Sequence, residues 1–171
     1  MPMPPQYLLL PASRAFITFS LLAAFVLDLL PWGRTPGVPD FLALTLVFWN
    51  IRQPRLVGIG IAFLFGLIMD VHEAALLGEH ALAYTLLSYG AMSLHRRVPW
   101  FGMPAQMLHV LPLFLLAQFS TLVVRMSVGG DFPGWVWFLQ SVATTLLWPL
   151  ADWLLLAPQR RAVDHDENRP I

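Results

Sequence analysis

Residues 104–127 read PAQMLHVLPLFLLAQFSTLVVRMS, an apolar run in which Arg125 is the single formal charge. As a helix rising about 1.5 Å per residue, a run of this length reaches across a hydrocarbon layer about 30 Å thick. No turn signal interrupts it except Pro112, which predicts a kink. The segment therefore reads as a membrane span, and the composition around it agrees. Of 171 residues, 57% are hydrophobic and only 12% charged, too few charges to cover a soluble domain without large apolar patches. Cysteine is absent, which excludes disulfides and thiolate metal sites. A net charge of zero argues against nucleic-acid binding, which needs a basic surplus.

Working outward, similar runs lie at about 15–32, 38–51, 55–71, 75–94 and 135–157, giving six expected spans in an all-α membrane bundle. The run at 38–51 is short for a full crossing, which leaves it short, tilted or re-entrant. Turn chemistry separates the runs at Pro31 to Gly37, Arg52 to Arg55, Pro99 to Pro104 and Gly129 to Gly134. No run shows the alternation of a membrane β-barrel strand. Residues 1–14 read as a cytoplasmic N-terminal segment, 15–157 as the membrane domain and 158–171 as a disordered cytoplasmic tail.

Orientation follows from the arginines. With both termini cytoplasmic, Arg14, Arg52, Arg55, Arg96, Arg97, Arg160, Arg161 and Arg169 fall inside, and only Arg34 and Arg125 fall outside. The acids Asp28, Asp40, Asp70, Glu73, Glu79 and Asp131 gather at the opposite end. Trp32, Trp49, Trp100, Trp135 and Trp137 fall near span ends, as an interfacial belt requires, while Trp148 falls deeper and suits packing.

Polar residues inside a bilayer need partners. Gly58, Ala62, Gly66 and Asp70 recur every four residues, so they form one stripe that suits close helix packing or a partner helix. Gln118, Thr121 and Arg125 share a face. Arg125 is expected to form an intramembrane ion pair with Asp28, Asp40 or Asp70. Ser141, Thr144, Thr145, Trp148 and Asp152 also align along one side, as interhelical hydrogen bonding would require. His72, Glu73, Glu79 and His80 lie close in sequence, yet at an external turn such residues read as solvated rather than as metal ligands. No nucleotide loop, protease motif or catalytic triad spacing occurs, so neither a catalytic residue nor a cofactor is expected.

From Pro39 to Tyr89 the sequence resembles a known family. The series Pro39-Asp40, Trp49, Pro54, Gly58, Ala62-Phe63, Gly66-Leu67, Asp70, Leu77-Gly78-Glu79-His80-Ala81-Leu82 and Tyr84 is similar to the MreD family of rod shape-determining membrane proteins. The resemblance implies a bacterial multi-pass inner-membrane protein of the cell-elongation machinery, without enzymatic activity. Implied partners are the membrane helix of MreC and, indirectly, MreB and the peptidoglycan synthases RodA and penicillin-binding protein 2. Carried over by motif, Pro54, Gly66, Asp70, Gly78 and His80 are the family's positions in this sequence. The architecture is also similar to the substrate-binding membrane subunits of energy-coupling-factor vitamin transporters. That similarity supplies the alternative of a small-molecule-binding transporter subunit.

Overall fold

The computed structural model describes residues 7–9, 12–32 and 37–162. Arg34, Arg169, the polar residues after 162 and the first six residues lie outside them. The architecture is all-α. Its helices are α1 (Arg14–Leu29), α2 (Phe41–Arg52), α3 (Ile59–His72), α4 (Glu79–Leu94), α5 (Met103–Ser127), α6 (Leu139–Leu146) and α7 (Trp148–Leu156). Single 3-10 turns precede α5 and α6 and follow α7. Two three-residue strands, β1 (Tyr7–Leu9) and β2 (Arg160–Ala162), pair antiparallel. Regular structure thus extends beyond 158, where the polar composition predicts a disordered tail.

The expected sixth span is one 25-residue helical segment, Trp135–Gln159, broken at Leu147 between α6 and α7. The break has a local cause. Pro149 has no N–H for the Thr145 carbonyl four residues back, and its ring crowds that turn. Among the described residues, Met103–Ser127 and Trp135–Gln159 are the two helices long and apolar enough to cross a bilayer by length and composition. Pro112 sits within α5, and the helix continues through it.

The short helix α2 is the centre of the molecule. Ten of its 12 residues, Leu42 through Ile51, are buried, and α1, α4, α6 and α7 all pack on it. It is therefore buried on all sides, the mark of an enclosed helix rather than a one-sided one, and is apolar apart from Thr45, Asn50 and the terminal Arg52. Its Trp49 is completely buried, with Nε1–H donating to Ser20 Oγ at 2.8 Å. This corrects the interfacial placement of Trp49: the indole finds its partner on α1 rather than in a headgroup layer. Trp148 is buried as expected and donates to Gln106 Oε1 at 3.0 Å.

The exterior supports lipid as the solvent. Phe19, Leu64, Val71, Leu108, Phe119, Leu146 and Trp153 are all more than half exposed, while Thr45, Asn50, Ser88, Gln106, Gln118, Ser141 and Thr144 are buried. In water so many exposed apolar side chains would form aggregating patches. In lipid they cost nothing, and the polar groups turn inward to satisfy one another.

Charge divides the bundle into two ends. Arg52, Arg55, Arg96, Arg97 and Arg160 lie at the ends of α2, α4 and α7 or in the adjoining turns. There Arg52 pairs with Asp152 of α7 at 2.8 Å, and Arg160 approaches the same carboxylate at 3.8 Å. Asp28, Asp40, Asp70, Glu79 and Arg125 lie at the opposite end.

Candidate functional site at the acidic end

The sequence brings carboxylates to this end because two helices need them there. A helix N-terminus leaves backbone N–H groups without partners, and in lipid no water replaces them. At α2, Asp40 is the N-cap and accepts from Ala43 N at 2.6 Å. Asp28, from the end of α1, accepts from Phe41 N at 3.1 Å and Leu42 N at 2.7 Å. At α4, the acceptor comes from a neighbouring helix. Asp70 near the end of α3 takes Gly78 N at 2.7 Å, His80 N at 2.6 Å and, more weakly, Ala81 N at 3.4 Å. His80 Nδ1 lies 3.0 Å from the same carboxylate. Asp70 is almost wholly buried, and these bonds tie the end of α3 to the start of α4.

The turn between α3 and α4 depends on glycine twice. Gly78 has φ of 105°, a left-handed conformation that an L side chain strains to adopt, and this turns its N–H toward Asp70. Gly66 lies where α3 meets α4. A Cβ there would come within 2.4 Å of Ala81 Cα and 2.7 Å of the His80 carbonyl oxygen. Ala62, on the same stripe, is fully buried. Gly58 ends the stripe in another role, as the extended N-cap of α3 beside the turn that holds Pro54. The stripe of small residues thus faces the protein's own bundle at Ala62 and Gly66, where α3 and α4 make the most extensive helix contact in the molecule.

Arg125 does not pair with Asp28, Asp40 or Asp70, the expected candidates. Its Nη2 donates to Glu79 Oε1 at 2.9 Å, and its guanidinium lies 5.8 Å from the Trp137 ring centroid. The physical reason is occupancy: each of the three aspartates already accepts backbone N–H bonds at a helix start. Glu79 is buried without such a duty and becomes the counter-ion. Glu79 is the first residue of α4, so helix position alone places it at an N-terminus and does not disclose its partner.

Around these groups lies a cleft of about 790 Å³ that opens at the acidic end. Its walls include Asp28, Asp40, Glu73, Tyr84, Trp137 and Gln140. Tyr84 Oη donates to Asp40 Oδ2 at 3.0 Å, and the Asp40 N–H donates to Thr144 Oγ1 at 3.0 Å. Asp40, His80, Tyr84, Trp137 and Gln140 also line a smaller chamber of about 70 Å³ that reaches inward toward Gln118, Thr121 and Ser141. Ser141 Oγ–H donates to Gln118 Oε1 at 2.5 Å, and Gln118 Nε2–H donates to the Trp137 carbonyl at 2.7 Å. Polar side chains line part of the chamber, and it is roomy enough for water. Gln118 and Thr121 thus border the chamber, while Arg125 on the same face stands at the cleft. Among the described residues, no group of three histidines, aspartates or glutamates converges on one point as a metal site would require. Tyr84 closes the family-like series without a role assigned to it, and Gln140 lies outside that series. Their signal is a polar group recurring inside otherwise apolar helices.

A second concavity, of about 500 Å³, runs between α1 and α7 with α2 as its floor. Phe16, Phe19, Ala23 and Leu27 form one wall and Leu150 and Leu154 the other. It is almost wholly apolar and faces the lipid side of the bundle.

Comparison with known proteins connects this geometry to a family. The family model described as rod shape-determining protein MreD matches residues 12–157. A rod shape-determining protein MreD from Haemophilus influenzae is 34% identical over 146 residues, covering 82% of this chain and 87% of that protein. No solved structure matches.

Proposed function

The chain belongs to the MreD family of rod shape-determining proteins, and from that premise we propose a non-enzymatic inner-membrane component of the cell-elongation machinery. Its role in cell shape follows from the family. The finer reading is a six-span bundle, similar in architecture to energy-coupling-factor substrate-binding subunits, with both termini cytoplasmic and the acidic end outward. Supporting the orientation, the described arginines other than Arg125 cluster at the end opposite the aspartate-capped helices. In this reading the chain docks the membrane helix of MreC and thereby helps recruit the peptidoglycan synthases.

The observation that carries the docking reading is the apolar groove between α1 and α7. It lies open to lipid, and Ala23, Ala24 and Ala151 let a helix backbone approach closely. Among helices in lipid, close van der Waals packing replaces the hydrophobic effect as the driving force, so an unfilled groove with small residues is where an added helix gains most. The test is co-purification of the full chain with MreC from native membranes. Wild type is expected to retain MreC, whereas Ala23→Trp, which fills the groove, is expected to lose it while the protein itself remains folded. Retention of MreC by Ala23→Trp would place the contact elsewhere. Failure of the wild type to retain MreC would sink the docking reading itself.

A further inference from the structure

We propose that the face formed by α3 and α4 is matched to a thinner bilayer than the one around it, so that the protein draws the hydrocarbon layer inward along this face. The proposal rests on the six-span reading of the bundle. Its first ground is length. α3 has 14 residues and α4 has 16, which as helices rise about 21 Å and about 24 Å, against a hydrocarbon layer about 30 Å thick. α5, with 25 residues, rises about 37 Å. One wall of the bundle is therefore short by about 6–9 Å, while its neighbour is not.

The second ground is what brackets the short helices. Apolar flanks would extend the hydrophobic face into the adjoining turns, but this hairpin has charged groups close to its ends. Exposed Arg55 precedes α3 and exposed Glu73 follows it, and exposed Arg96 and Arg97 follow α4. Between these brackets Leu64, Val71 and Tyr89 are more than half exposed, so the face requires acyl chains along it. At the tip, exposed Leu76 and Leu77 stand beside exposed His72 and Glu73, which sets the tip at the boundary between acyl chains and headgroups. α5 is flanked differently. Exposed Trp100 and Phe101 precede it and exposed Val128 follows it.

The third ground is rigidity. A short span is accommodated by thinning the bilayer, by snorkelling of flanking side chains or by oligomerising. Snorkelling helps at the arginine end, where side chains are long, and less at the tip, where His72 and Glu73 are shorter. The hairpin itself does not give. Asp70 ties the end of α3 to the start of α4, and the close approach at Gly66 leaves the two helices no room to shift. Glu79, the first residue of α4, is held by Arg125 of α5 at 2.9 Å, which fixes the height of the hairpin against the long helix. The lipid is then the part that yields. This face is separate from the α1–α7 groove, which no residue of α3 or α4 lines.

The chain has no cysteine, so one introduced cysteine carries a unique spin label. Gly60→Cys and Val71→Cys label the exposed face of α3, and Leu108→Cys and Phe119→Cys label that of α5. The two sites of each pair lie about 16 Å apart along their helix. In the full chain reconstituted in dioleoyl phosphatidylcholine vesicles, collisions of each label with oxygen and with a water-soluble nickel chelate give its depth below the headgroups. The two depths on α3 are expected to total about 6 Å and those on α5 about 14 Å, the local thickness that remains beyond the separation of each pair. In thinner dimyristoleoyl vesicles the α3 depths should stay the same, because the hairpin sets the thickness there. All four sites are exposed, so thermal unfolding of each labelled protein is expected at the wild-type midpoint. Equal totals on the two faces, or α3 depths that follow the bulk thickness, would overturn the proposal and leave the six spans standing. Dipolar broadening between α3 labels would also overturn it, because a second copy would then cover the face. Labels on α3 that stay in water throughout would overturn the six-span reading as well.

Discussion

Replacing Gly66 with alanine adds a single methyl group, yet the geometry makes it the most damaging small substitution in α3. Its Cβ would sit 2.4 Å from Ala81 Cα and 2.6 Å from Ala81 N. Carbon atoms in contact settle at about 3.5 Å or more, so α4 must retreat by about 1 Å. The atoms in the way are backbone, so no rotamer change relieves them. The retreat also stretches the Asp70 bonds to Gly78 N and His80 N, now 2.7 Å and 2.6 Å, past the length at which they hold. Overpacking costs about 1–3 kcal/mol and loss of a helix cap about 1 kcal/mol, so the expected loss is about 3 kcal/mol. That is a factor of about 150 in the folding equilibrium. Two glycines calibrate the result. Gly90 would bring Cβ within 2.6 Å of Leu113 Cδ2, a side-chain atom that can move, so Gly90→Ala is expected to cost less. Gly60 has open space, and Gly60→Ala is expected to be neutral or to stabilise by up to about 1 kcal/mol. Unfolding of the purified variants in mixed micelles reads all three. If Gly66→Ala unfolds with Gly60→Ala, within about 0.5 kcal/mol, the close approach of α3 and α4 is refuted.

Three further tests probe the same end. Asp70→Ala strands the Gly78 and His80 N–H groups and is expected to cost about 2–4 kcal/mol; Asp70→Asn, which keeps one acceptor, should fall between it and wild type in the same unfolding assay. Equal loss in both would show that the carboxylate is not acting as a cap. In a double-mutant cycle, Arg125→Met should destabilise more than Glu79→Gln, because it leaves buried Glu79 without its counter-ion, and the double variant should recover part of the loss. Strict additivity would mean the pair does not couple. Gly78→Ala meets no steric neighbour but must hold φ near 105°, so a loss of about 1–2 kcal/mol is expected, and an unchanged midpoint would mean the turn relaxes freely.

What the sequence discloses and what it conceals divides along physical lines. The apolar character of 104–127, the turn residues between runs and the scarcity of charge are local properties, and α5 appears as Met103–Ser127 where its run places it. The family motif is legible too, because Gly66, Asp70, Gly78 and His80 lie close in the chain and meet across one turn. Partners distant in sequence are not legible. Hydropathy sees α2 as one more short apolar run, since nothing in 12 residues reports that other helices surround them. Arg125 has four acids near its depth, and choosing Glu79 requires knowing that the aspartates are engaged at helix starts. Trp49 reads as a belt residue for the same reason: its partner Ser20 lies 29 residues earlier on another helix. The break at Pro149 is the exception, a local signal present in the sequence that the length of the apolar run conceals.

The central claim, that this chain maintains rod shape by acting in the elongation machinery, is tested most directly by depleting it in its rod-shaped host and imaging cells through several divisions. The account predicts that cells round and swell and that labelled wall synthesis becomes diffuse along the cell body. Cells that keep their length, width and pattern of wall synthesis after depletion would contradict it.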